Sequence, residues 1–390
     1  MMLSNKYINY IFIFFYLFAF LGCTKDEPSA IQKDSFIKSF GGPYEDEAID
    51  IISDNGNFFI LGNVKDADNK ISISLSKTND FGNRIWEKTY SYNEKQTQGN
   101  QIIKLEKQKG FAIIGSVEMD NDTLFYDAYL LIVDQNGGVI SENTFNHSHS
   151  EFGKCIAELN DGGFSISASQ DTLNQTGSHM SLFYRLNPQG EIIPFSTSKT
   201  PSSNLFQICK KSNNEGFYAT IYDKKSKIFI LNPDGTSVGT IPMGEEKDQI
   251  IGITQDKNGD TYVCGKVFNG SNGNTDGFIA KLKDAENSYE YIWRKEFGEN
   301  GNDILSYITI SDENSILVTG SNENTQLGTS DIWVIKTDML GNKLSEIKIG
   351  GDDDEYGVKI LTSDNERFVV EATTYFKNNS MISIIKSEFK

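Results

Sequence analysis

Ile49-Asp50-Ile51-Ile52, then Ser53-Asp54-Asn55-Gly56, then Phe58-Phe59-Ile60-Leu61-Gly62: this stretch decides the fold. Two apolar runs of strand length flank a turn built from Ser, Asp, Asn and Gly, whose side chains bond turn backbone or accept positive φ. The same pattern returns as Ile102-Ile103-Lys104-Leu105 before Gly110-Phe111-Ala112-Ile113-Ile114-Gly115, and as Ile156-Ala157-Glu158-Leu159 before Gly162-Gly163-Phe164-Ser165-Ile166. Aligning the residue that closes each second strand gives Gly62, Gly115, Ala168, Ile221, Gly265, Gly320 and Ala372, spaced by 53, 53, 53, 44, 55 and 52 residues. A period this steady leaves no room for a separate domain.

Each unit continues with a third strand, an Asx-bearing turn and a fourth strand. Examples are Leu130-Leu131-Ile132-Val133 with Asp134-Gln135-Asn136-Gly137, and Trp333-Val334-Ile335-Lys336 with Asp338-Met339-Leu340-Gly341. Four short antiparallel strands, A to D, in about 50 residues describe one blade of a β-propeller. The last unit has an A strand (Gly357–Leu361), a B strand (Arg367–Glu371) and a C strand (Met381–Ile385), and then stops. Its D strand lies at the other end of the chain: Ser35–Phe40 precedes the first A strand and matches Trp293–Phe297. The expectation is therefore an all-β, seven-bladed propeller over residues 35–390, closed by an N-terminal strand that removes free sheet edges.

Ahead of it, Lys6 precedes the apolar run Tyr7–Leu21, which ends at Gly22-Cys23 and meets the polar Thr24-Lys25-Asp26-Glu27-Pro28-Ser29. A charged start, a short apolar centre and a small residue before the break describe a signal peptide, and the run is short for a spanning helix. Phe20-Leu21-Gly22-Cys23 resembles the bacterial lipobox, which implies cleavage after residue 22, acylation of Cys23 and a lipidated tether over residues 23–34. Lys25-Asp26-Glu27 resembles the short tag that marks surface-exposed lipoproteins of Bacteroidota. Several acyl chains on one cysteine make a stable membrane anchor.

The net charge is −18, and the removed segment carries only Lys6, so the mature chain is more acidic still. With no basic stripe, such a chain repels nucleic acid. Arginine is confined to Arg84, Arg185, Arg294 and Arg367, each on a strand or tight turn. Beyond Cys23, the cysteines Cys155, Cys209 and Cys264 sit inside apolar runs, where free cysteine acts as a small hydrophobe.

Phe40-Gly41-Gly42 with Asp46, Gly56-x-Phe58-x-Ile60-x-Gly62, and Lys77-Thr78 followed by Gly82-x-x-Ile85-Trp86-Glu87-Lys88 together resemble the repeat of the lipid-anchored propeller lipoproteins of Bacteroidota. The resemblance covers residues 35–390 and is best in units one, five and six, where Phe297-Gly298 with Asp303 and Asp331–Asp338 carry it. Units three and four lack the tryptophan and the Gly-Gly. The resemblance implies a fold and an outer-membrane, cell-surface address, with no single activity.

The B–C and D–A connections share one face of a propeller, and the sequence reads them as long and the A–B and C–D turns as tight. Binding residues concentrate on such loops. That face gathers Glu45, Asp46, Glu47, Asp66, Asp68, Asp120, Asp122, Asp127, Glu245, Glu246, Asp248 and Asp352-Asp353-Asp354-Glu355. Ca²⁺ is the cation such carboxylates would suit, but no loop supplies its alternating ligand pattern, so the charge reads as solvated. Asp46 and Asp303 each follow a junction glycine by five residues, as turn caps do. Asp256-Lys257-Asn258-Gly259-Asp260 falls on a tight A–B turn. His147 and His149 are two imidazoles without a third ligand, and His179 stands apart.

No nucleophile elbow, metal set or cofactor fingerprint stands out, so the reading calls for no cofactor and no catalytic residue. The aromatics Tyr44, Phe125, Tyr126, Phe152, Phe268, Tyr356, Tyr375 and Phe376 lie in or beside that face. Of these, Phe125, Tyr126, Tyr44 and Tyr356 are the candidate binding residues, with Phe125-Tyr126 read as the middle of a loop. The function expected is binding or scaffolding of a protein partner in an outer-membrane assembly. Glycan binding is the alternative, and a glycan-active enzyme ranks third.

Overall fold

The computed structural model describes residues 35–389 except 121–124, 146–149, 172–178, 195–197, 202–203, 224, 235, 244–246, 272–273, 286–287, 364–366 and 378. Cys23, Asp122, His147, His149, Glu245 and Glu246 therefore lie outside the described residues, as does the side chain of His179. The strands form seven antiparallel four-stranded sheets, each in sequence order except the last. The fold is a seven-bladed β-propeller, as the repeat predicts.

The innermost A strands are Asp46–Asp54, Thr97–Lys104, Glu151–Glu158, Asn204–Lys210, Asp248–Gln255, Ile304–Ile310 and Glu355–Thr362. Each touches the next around the ring, and the seventh touches the first. Closure comes from the first and last strands of the propeller. Phe36–Phe40 pairs antiparallel with Asn379–Glu388, with Ile37 opposite Ile385 and Phe40 opposite Ile382, and so supplies the D strand of blade 7. Two contacts reinforce this seam. Phe40 packs with Ala48, Ile51, Phe58, Ile382 and Ile384, joining blades 7 and 1, and the buried Lys386 Nζ reaches Asp80 Oδ1 at 2.7 Å on a turn of blade 1.

The core lies between blades. Phe59 and Leu61 of blade 1 pack on Ile102, Phe111 and Ile113 of blade 2, and similar apolar layers recur at the other junctions. Apolar faces of this kind supply most of the stabilisation, at about 25 cal/mol per Å² removed from water.

All seven A–B pairs carry a one-residue register slip at the same place, between Ala48 and Asp50 in blade 1 and between Gly357 and Lys359 in blade 7. The residue opposite each slip is the one used to align the repeats: Gly62 faces Ala48, Gly115 faces Gly99 and Gly320 faces Leu305. A bulge bends the strand and pushes its backbone toward the partner. A Cβ on Gly115 would lie 1.9 Å from the Gln98 carbonyl oxygen, and one on Gly320 would lie 1.9 Å from that of Ile304. Glycine at this step answers a close backbone approach.

One expectation is corrected. The two faces do not divide into long loops and tight turns. The B–C connection of blade 4 is the single residue between Asp223 and Lys225, whereas the A–B turn of blade 2 runs from Lys104 to Phe111. Strand pairing continues through segments that read as loops: Glu118 pairs with Tyr126, and Asp127 with Val117. Extended backbone gains ladder hydrogen bonds by pairing on, and it buries Glu118 and Asp127 within the blade.

Candidate functional site

Most of the conspicuous carboxylates hold the scaffold together. Buried Asp46 opens the first A strand, and its oxygens accept from the backbone N–H of Gly42 at 2.6 Å and of Lys65 at 3.2 Å. Asp303 does the same for Glu299 N at 2.6 Å and Glu323 N at 3.0 Å, and Glu355 for Gly351 N at 3.1 Å. Burial raises all three carboxyl pKa values, and these N–H groups oppose it. The turn-cap expectation for Asp46 and Asp303 is met. The calcium-like turn is an Asx turn as well, with Asp256 Oδ1 accepting from Asn258 N and Asp260 N at 2.9 and 2.8 Å.

Asp248 carries two groups of its own blade, Arg294 at 2.8 Å and the Tyr291 hydroxyl at 2.8 Å. Arg294 thus reaches the B–C and D–A face, in an ion-paired arrangement with Asp248 and Glu296. Cys155, Cys209 and Cys264 are free thiols. Burial pushes Cys155 up to about 12 and Cys209 up to about 11, so both stay protonated and unreactive near neutral pH.

Phe125 and Tyr126 are not mid-loop. They begin the C strand of blade 2, Phe125–Val133, and both are half-buried. The Tyr126 ring lies 5.0 Å from that of Phe152 at an interplanar angle of 34°, so this pair packs blade 2 against blade 3. The Asp/Asn-rich flank made the segment look like a loop.

A different set of aromatics is exposed. Tyr44, Phe268, Tyr356, Tyr375 and Phe376 lie on the B–C and D–A face; Tyr44, Tyr356 and Tyr375 belong to the seam between blades 7 and 1, and Phe376 ends the B strand of blade 7. Tyr356, two residues ahead of the bulge in blade 7, meets Tyr375 from the adjoining B strand edge-on, with centroids 6.1 Å apart at 88°. Each ring is more than a third exposed, at 39% and 38%. Burial first, and then the Asp354 carboxylate, raise the Tyr356 hydroxyl above the usual phenol range.

These rings border a cleft of about 360 Å³ whose opposite wall is blade 1, with Glu45, Glu47 and Lys65. Lys65 and Glu45 form an ion pair at 2.5 Å on its rim. Of the acidic run nearby, Asp354 accepts from Ser330 N at 2.9 Å and Asp353 from Lys377 N at 3.3 Å, whereas Asp352 is exposed. The structure thus brings Tyr356 together with Tyr375, Glu45 and Glu47. Tyr44 is exposed on the same seam without lining the cleft, and Phe125 and Tyr126 belong to another junction.

No family model matches the chain, and no curated protein matches it in sequence. Among solved structures, the WD40 domain of Toxoplasma gondii coronin is similar at a TM-score of 0.53 and 11% identity, over 91% of this chain and 86% of that one. A puromycin hydrolase is similar at a TM-score of 0.56 and 11% identity over 86% of this chain; the match takes in 52% of that protein, so this chain spans about half its length. A protein of unknown function from Bacteroides caccae is similar at a TM-score of 0.44 and 12% identity, over 70% of this chain and 89% of that one. At such identities the coronin and hydrolase likenesses speak for the fold alone, and the fold is the propeller.

Proposed function

We propose that this protein is a lipid-anchored, non-enzymatic surface lipoprotein of the propeller type found in Bacteroidota, which captures a protein partner within an outer-membrane assembly. The observation that carries the binding site is the cleft between blades 7 and 1, where two exposed tyrosines stand edge-on beside an acidic wall. Rigid aromatic side chains in a pocket are the groups that carry most interface energy, and flanking charges chiefly steer approach. The conspicuous carboxylates elsewhere on the face are engaged in capping turns and pairing with neighbours, which supports a scaffold in preference to a catalytic centre.

One observation favours a second reading, glycan binding: the cleft falls within the range of small-ligand pockets, and tyrosine faces also stack on sugar rings. The test is capture from native outer membranes, run beside a glycan panel, with wild type and with Tyr356→Ala/Tyr375→Ala. Loss of about tenfold or more of partner capture is expected from the double variant, the level of a hot-spot truncation. Phe125→Ala/Tyr126→Ala should lower thermal stability and leave capture within about twofold, because those rings pack blades. Unchanged capture by the Tyr356/Tyr375 variant would remove the cleft, and tyrosine-dependent retention of a glycan in place of a protein would establish the second reading.

A further inference from the structure

The A-strand bulges of blades 1, 2, 3, 4, 6 and 7 place side chains along the central channel, and their hydrogen bonds leave an unbalanced set of donors there. In blades 1, 2 and 4 the residue that follows the bulge reaches sideways to the next blade. Asp50 Oδ2 accepts from Ile102 N at 2.9 Å, Gln101 Oε1 from Ile156 N at 2.7 Å, and Gln207 Oε1 from Ile253 N at 3.0 Å. A backbone N–H needs an acceptor, so each glutamine must present its oxygen to the neighbouring blade. Its NH₂ group is thereby left toward a channel cavity of about 180 Å³, with no partner among the described residues.

Two ammonium groups line the same cavity. Lys359 Nζ is held by Asp50 Oδ1 at 2.6 Å, which uses the remaining oxygen of that carboxylate. Lys154 Nζ forms no ion pair among the described residues; it stands 5.8 Å from the Phe152 ring, and the Glu47 carboxylate acts on it at longer range. A half-buried ammonium without an ion-pair partner is costly, and burial pulls the Lys154 pKa down, opposed only in part by Cys155 and Glu47. In sum, the cavity offers N–H donors in excess, and its one carboxylate, Asp50, is already spent.

We propose that the channel binds a small oxyanion, a carboxylate or phosphate, whose oxygens accept from Lys154 Nζ and from the Nε2 groups of Gln101 and Gln207. The site is separate from the tyrosine cleft and does not depend on it. It is also distinct from the acidic outer face, which would repel such a ligand.

The experiment is calorimetric titration of the full mature protein with inorganic phosphate and with succinate, against sodium chloride at matched ionic strength. Saturable binding of at least one oxyanion is expected, weakened about tenfold or more in Lys154→Met, as loss of a charge-assisted hydrogen bond implies. Lys154→Arg should bind within about threefold of wild type, and so should the surface control Asp352→Asn. Lys154→Gln serves in place of the methionine variant if that one melts early. Absence of saturable binding for both anions would overturn the proposal, and so would equal affinity in the Lys154→Met and wild-type proteins.

Discussion

Glu371 sits on the B strand of blade 7 with no exposed surface, and neither of its carboxyl oxygens makes a well-formed hydrogen bond among the described residues. Burial, with the Asp50 carboxylate close by, raises its pKa well above the ordinary value; Lys359 and the Ile49 backbone N–H offset this only in part. The sign of the pH effect follows. Below the unfolded pKa of about 4.3 the group is protonated in both states and contributes no difference. As pH rises from there toward the folded pKa, the unfolded chain ionises and the folded one resists, so stability falls. Glu371→Gln should flatten this segment of the profile and leave the protein at least as stable as wild type at pH 7. The gain arises because Gln, unlike Glu, has no proton that the unfolded chain releases at pH 7 and the folded chain keeps. Urea unfolding of both proteins at pH 5 and pH 7 measures it. Turn carboxylates of the opposite sign, such as Asp161, held low by the Gly163 N–H and by Arg185, are common to both proteins and cancel in the difference. A variant that loses stability at both pH values would show that the charge of Glu371 is needed.

At the scale of the element, the strand Phe36–Phe40 is the test of how the ring is held. It is the outermost strand of blade 7, yet it is where the first and last strands of the propeller meet. Deleting residues 35–40 strips the partner from Asn379–Glu388 and removes Phe40 from the layer between blades 7 and 1. A melting temperature lowered by several degrees, or aggregation through the exposed edge, is expected in a thermal scan with light scattering. Melting at the wild-type temperature would show that the A-strand contacts and the Asp50–Lys359 pair close the ring unaided. This strand was legible in the sequence because a repeat missing its last member calls for that member elsewhere. The ends of the B and C strands of blade 2 were not legible: Asp120 to Asp127 has loop composition, and only their mutual pairing makes Glu118–Asp120 and Phe125–Asp127 extended.

For the whole molecule, the proposed address rests on Cys23, ahead of the propeller. Cys23→Ala should abolish acyl labelling and release the protein from the membrane fraction. The propeller should melt unchanged, since residues 35–390 form their own compact unit. Persistent acylation of the variant would refute the anchor. The surface would still be strongly acidic, so any partner approach should weaken with salt, more so than the contact made by Tyr356 and Tyr375.

The sequence by itself determined the blade count, the strand order within a blade and the N-terminal closure, because these follow from local period and from turn residues such as Asn55-Gly56 and Asp134. It also marked Asp46 and Asp303 as caps, since a cap acts over a few residues. Tertiary structure alone decided which aromatics are free and which are spent. Phe152 is consumed by Tyr126 from the neighbouring blade, while Tyr356 and Tyr375 stay open at the seam. It alone decided, too, that Asp50, Gln101 and Gln207 face the channel, because one bulge residue in each A strand shifts the side chains that follow it to the other side. A period read along the chain carries no information about contacts between blades some 50 residues apart, and the cleft and the channel are made of such contacts.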